Sequence, residues 1–150
     1  MLEESQEQID ERFMRMALQE AEKAREQDEV PVGAIIVYKG KVIARAHNMT
    51  EKLTDFTAHA EMQAFTIAAD ALRNKYLDLC TLYVTLEPCT MCAGAAFWTR
   101  IGRVVYAAKD EKRGFLRHGN LLHPKAQLKG VVLADEASTL VKDFFKYKRK

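Results

Sequence analysis

The chain has 150 residues, 48% of them hydrophobic, and a formal net charge of +2, enough apolar material for one compact core without help from disulfides. Three cysteines are an odd number, two of them lie three apart, and the start, MLEESQEQIDER, is acidic and polar, so a disulfide framework, a secretory leader and a membrane span are all poor readings. The expectation is a single domain over residues 1–150, soluble and cytoplasmic, with reduced thiols. Charge is unevenly spread: residues 1–30 carry ten acids and four bases, and residues 100–150 carry thirteen bases and five acids. A basic final third suits phosphate groups, and equally suits a solvated helix and loop.

From Ile9 to about Gln27, apolar residues recur at three- and four-residue spacing, which predicts an amphipathic helix. Val32–Tyr38 and Val42–Ala46 read as strands joined at Lys39-Gly40, hence an antiparallel hairpin. A polar loop covers 47–57. Ala58 to Arg73 is rich in good helix formers. Thr81–Leu86 is a β-rich run stopped by Pro88, a residue suited to a helix start, and Cys89 to Trp98 reads as a short buried helix. Arg103–Ala108 predicts a strand, Val131–Leu133 another, and Asp135 to about Tyr147 a last helix. The order α-β-β-α-β-α-β-β-α predicts a mixed five-stranded sheet covered by helices on both faces.

Two short motifs carry chemistry. His59-Ala60-Glu61 and Pro88-Cys89-Thr90-Met91-Cys92 together form H-x-E…P-C-x-x-C, the established signature of zinc nucleobase deaminases. The helix from Ala60 travels roughly 21 Å at 1.5 Å per residue, and the strand to Glu87 returns roughly 23 Å at 3.3 Å per residue. His59 is thereby brought level with Cys89 and Cys92, so that one zinc ion can be shared by the three. Cysteines in the first turn of a helix sit at its positive end, which favours the thiolate that zinc binds. Glu61, two residues from His59, points elsewhere and is expected to carry protons rather than ligate the metal. Two thiolates already neutralise the dication, which places more of the chemistry on Glu61.

A closed structural site would need a fourth protein ligand. Cys80 is the candidate by chemistry, but an extended strand puts it roughly 20 Å from the metal. His47, His118 and His123 lie in or beside loops and stay open as alternatives. An ordinary redox pair could also explain C-x-x-C by itself; both motifs together, with the matching helix and strand between them, favour an open catalytic site.

The segments Glu29-Val30-Pro31-Val32-Gly33-Ala34, Asn48, Asp55 with Thr57–Glu61, Tyr83–Cys89 and Met91–Ala95 resemble the bacterial tRNA-specific adenosine deaminases of the cytidine/deoxycytidylate deaminase family. The likeness runs from about residue 12 to 112 and resumes at Asp143-Phe144-Phe145. It implies a three-layer α/β/α cytidine-deaminase-like fold, a homodimer, one zinc ion per subunit, and conversion of adenosine to inosine at the wobble position of a tRNA anticodon, with arginine tRNA as substrate. Position by position it implies zinc ligands at His59, Cys89 and Cys92, a proton shuttle at Glu61, base contacts from Asn48 and Val30, a flanking-nucleotide contact from Asp110, and anticodon-loop contacts from Phe144 and Phe145. Read without the resemblance, Asn48 is a turn former, Asp110 a loop acid, and Val30 and the phenylalanines are core residues.

Two departures stand out. Phe56 occupies a position where many members have proline, and Arg113–Lys129 does not follow the family pattern. Residues 100–129 nonetheless hold eight bases against two acids, which suits an RNA backbone. The competing enzyme is a free-base or nucleotide deaminase acting on guanine or cytosine, and the competing binder is a zinc-stabilised RNA-binding module with no catalysis.

Overall fold

Residues 3–148 are described by a computed structural model. Helix α1 (Gln6–Glu26) starts at a reciprocal cap in which the Ser5 hydroxyl accepts the Gln8 N–H and the Gln8 side chain accepts the Ser5 N–H. Strands β1 (Gly33–Tyr38) and β2 (Lys41–His47) form the expected hairpin. Lys39 and Gly40 both have positive φ, at 50° and 77°, the geometry a two-residue hairpin turn requires. Then follow α2 (Ala60–Leu72), β3 (Cys80–Leu86), α3 (Thr90–Thr99), β4 (Arg103–Ala108), a 3-10 turn at Phe115–His118, β5 (Gln127–Lys129) and α4 (Ala134–Lys148).

The five strands lie in the order β2-β1-β3-β4-β5. β1 is antiparallel to β2 and β3, while β3, β4 and β5 run parallel, so the sheet is mixed as expected. Alternation along each strand sends its residues to two cores. Ile36, Leu82, Val84 and Val104 pack with Ala60, Ala64 and Phe65 of α2 and Ala93 and Ala96 of α3. Ile35, Tyr83 and Val105 face the other way, against Phe13, Met14 and Ala17 of α1 and Ala137 of α4. The result is three layers, α/β/α.

One strand differs from the sequence reading. The pairing edge falls at Gln127–Lys129, opposite Arg103–Val105, and not at Val131–Leu133. Val131 and Leu133 have φ of 66° and 56°, a left-handed backbone that no strand sustains. The apolar run instead turns the chain into α4, with Val132 buried and Leu133 packed on the α1 side of the sheet. Helices α2 and α3 start two residues and one residue later than their composition suggests, whereas α1 and α4 start three residues and one residue earlier. His59 and Cys89 are extended residues that precede α2 and α3, and this is what places them.

Among the described residues no helix is long and apolar enough to cross a membrane.

Candidate active site

Because β3 returns the length that α2 travels, the first residues of α2 and α3 meet at one end of the sheet. His59 and Cys89 are the N-caps of these two helices, and neither makes a side-chain capping bond, so both side chains are free for another partner. The His59 Nδ1 lies 3.7 Å from the Cys89 Sγ and 3.5 Å from the Cys92 Sγ, and the three donor atoms all fall within 4.8 Å of one another. Zinc bonds of about 2.3 Å to sulfur and about 2.05 Å to nitrogen at a tetrahedral angle separate N and S by about 3.6 Å. The donor set therefore fits zinc in kind and in spacing.

Among the described residues these three alone form such a group. Cys80 is buried at the opposite end of β3, where its backbone pairs with Tyr38. His47 instead approaches Glu20, with 3.6 Å between Nδ1 and the carboxylate, and Gln27, at 3.2 Å. Three protein donors leave a tetrahedral ion one position for water or substrate, the arrangement of catalytic zinc sites.

The ionisation of the set fits a cation. The hydrogen bond from Cys92 pulls the Cys89 thiol down to about 4, against the opposing effect of burial and with help from His59. Cys92 is pushed up by its bond to Cys89 and by burial, so the two sulfurs share one negative charge until a metal displaces the remaining proton. His59 is raised by its bond to Cys89. Glu61 is 4% exposed, and burial drives its carboxyl up to about 7.

Beside the donors lies a cavity of about 240 Å³, lined by Val30, Asn48, Glu61 and Asp110, among others. Asn48 is buried, and its Oδ1 has no hydrogen-bond partner among the described residues. An unpaired buried amide oxygen is costly and calls for a partner. Asp110 reaches the cavity wall while its Oδ1 accepts the Lys112 and Arg113 N–H groups. Phe144 and Phe145 are not brought to this cavity. Phe144 is 8% exposed and Phe145 43%, and both line a neighbouring depression that shares Val30 and Thr50 with the first.

Several wall residues carried no role in the sequence reading: Thr50, Phe56, Leu86, Glu87 and Arg113. Two buried carboxylates fix the loops they stand on. Glu29 accepts the Glu51 and Lys52 N–H groups at 3.0 and 2.7 Å, and Glu87 accepts those of Asp110 and Leu116 at 3.2 and 3.0 Å. The available signal was an acid shortly before a proline, one residue removed in E-V-P and adjacent in L-E-P-C.

A three-layer α/β/α fold with a His-Cys-Cys donor set, a buried glutamate and a base-sized cavity defines a zinc-dependent deaminase. Residues 7–108 match the cytidine and deoxycytidylate deaminase zinc-binding region, and the chain belongs to that family. It is 47% identical over 141 residues to the tRNA-specific adenosine deaminase of Aquifex aeolicus (strain VF5), covering 89% of this chain and 92% of that one. A solved structure from work on A-to-I editing by tRNA:A34 deaminases at the wobble position of transfer RNA superposes with a TM-score of 0.79 at 42% identity, over 86% of this chain and 98% of that one. A guanine deaminase structure from Bacillus subtilis superposes with a TM-score of 0.65 at 37% identity, over 73% and 69%.

Proposed function

We propose that this chain deaminates adenosine to inosine at the wobble position of a tRNA anticodon, with arginine tRNA as the substrate, using one zinc ion held by His59, Cys89 and Cys92. The observation that carries this reading is the cavity: a buried carboxylate and the Asn48 side chain line one base-sized space beside the donor set. Near-full-length similarity to tRNA-specific adenosine deaminases supports the choice of base and RNA.

When bound, zinc supplies Lewis-acid polarisation of water for attack on the ring carbon that bears the amino group. Glu61 takes a proton from the attacking water and returns protons to the ring nitrogen and the departing ammonia, so adenosine and water yield inosine and ammonia. In the metal-free chain, burial raises its carboxyl above the ordinary carboxylate range, which favours holding a proton between the two transfers. The Asn48 side-chain amide hydrogen-bonds the base and fixes its orientation. Val30 and Leu86 supply apolar wall that excludes bulk water. Asp110 and Arg113 lie within the basic 100–129 region, the side from which the RNA backbone approaches.

The same reading takes the protein as one catalytic unit over 1–150, acting in the cytoplasm as a homodimer. Exposed apolar side chains on α2 and α3, Ile67 at 42% and Trp98 at 77%, support an interface on that face, which light scattering tests.

The likeness to guanine deaminase favours a second reading, a free-base enzyme. Rates on an anticodon stem-loop and on free guanine, measured side by side, separate the two. Faster turnover of guanine would refute the tRNA reading.

A further inference from the structure

Phe56 is 92% exposed and yet forms part of the wall of the cavity that contains Glu61 and Asn48. Leaving a phenylalanine ring in water forgoes the stabilisation that burial would bring, so its position at the cavity mouth is a cost unless something covers it.

The exposure is held by the loop's own bonding. Asp55 Oδ1 accepts the Thr57 N–H and hydroxyl at 2.8 and 2.7 Å. The Asp55 N–H donates to the Thr50 carbonyl at 2.9 Å and the Ala58 N–H to the Asp55 carbonyl at 3.1 Å. Below them the Glu29 carboxylate, 1% exposed, accepts the Glu51 and Lys52 N–H groups. Residues on both sides of Phe56 are therefore tied down, and the ring projects from a fixed frame.

We propose that Phe56 is a stacking shelf for the nucleobase next to the one being deaminated. This rests on the RNA reading above. Drawing a target base into a closed cavity removes its neighbour's stacking partner, and an aromatic ring at the mouth replaces that partner whatever the neighbour's identity. Arg113, a further residue of the cavity wall, is in this arrangement the cation for the phosphate that joins the two nucleotides. A free base has no such neighbour and leaves the ring uncovered.

The test uses the zinc-loaded full chain and anticodon stem-loops carrying 2-aminopurine on either the 5′ or the 3′ side of the target adenosine. Wild-type, Phe56→Ala and Phe56→Tyr proteins are compared by reporter fluorescence, by KM and kcat for inosine formation, and by light scattering. At one of the two flanking positions the reporter is dimmer in the wild-type and Phe56→Tyr complexes than in the Phe56→Ala complex. KM rises about tenfold in Phe56→Ala, kcat stays within about twofold, and tyrosine restores KM. Equal fluorescence and equal KM in wild type and Phe56→Ala, with the RNA still edited, would overturn the shelf alone. A changed oligomeric state in Phe56→Ala would assign the ring to an interface between copies and also overturn it. Absence of inosine with the wild-type protein would overturn the RNA reading, and the shelf with it.

Discussion

Gly114 stands against Glu87 so closely that a Cβ on Gly114 would overlap the Glu87 carboxylate. That carboxylate accepts the Asp110 and Leu116 N–H groups, and the Phe115 N–H donates to the Pro88 carbonyl at 2.9 Å. The loop carrying Asp110 and Arg113 is thus fastened to the segment that carries Cys89. Gly114→Ala is expected to push the carboxylate off its partners, costing about 1–3 kcal/mol of stability. It should also lower kcat/KM by tenfold or more, because small displacements at a site are costly. Thermal unfolding and steady-state kinetics check the two effects, with zinc content as control.

Glu61→Ala is expected to retain one zinc per chain, since the three donors are untouched, and to lose turnover by roughly 10²–10⁴-fold, the contribution of a positioned proton carrier. Metal analysis together with inosine formation tests this; near-normal turnover would remove Glu61 from the chemistry.

Asn48→Ala removes the buried amide whose oxygen awaits a partner. A fall in kcat/KM of roughly ten- to a hundredfold is expected, the value of about 1.4–2.7 kcal/mol of lost hydrogen bonding to the base. The free protein should lose little stability, because that oxygen has no partner among the described residues.

Far from the site, Asp10 is fully buried on the inner face of α1 and binds Arg103 through both oxygens at 2.7 and 2.8 Å, Lys129 at 3.2 Å and the Tyr83 hydroxyl at 2.8 Å. Burial alone would raise its carboxyl, but the bonds from Arg103, Tyr83, Gln6 and Lys129 outweigh it and hold the group well below the usual carboxylate range. The folded state therefore binds this proton more weakly than the unfolded chain. Its stabilisation is complete above the unfolded value of about 3.9 and is lost as pH falls below it. Asp10→Asn leaves the Arg103 and Lys129 charges uncompensated and is expected to cost about 3 kcal/mol at neutral pH. The gap from wild type should narrow under acid, as chemical denaturation at pH 7 and pH 3 would show.

Legibility followed the range of the interactions. The helices, the hairpin and the converging His59, Cys89 and Cys92 are set by local pattern and by element length, both readable along the chain. The edge strand was misplaced because β-branched composition at Val131–Val132 suggests a strand, while the actual pairing depends on which backbone meets β4 across space. Asp10 joins residues 73, 93 and 119 positions away, and no local pattern announces such a cluster. Glu29 and Glu87 were visible as motif letters, but their work as anchors for cavity loops depends on backbone N–H groups, which every residue except proline offers alike. Phe144 and Phe145 show the converse: their place on the last helix was readable, and their distribution between core and surface was set by packing.

The most direct test of the central claim is to incubate the zinc-loaded protein with an arginine-tRNA anticodon stem-loop, free guanine and free cytosine in parallel, and to measure inosine, xanthine and uracil. Inosine at the wobble position, formed faster than either free base is converted and suppressed by added salt as phosphate contacts weaken, is the predicted result. Faster conversion of guanine or cytosine, or no product from the stem-loop, would contradict it.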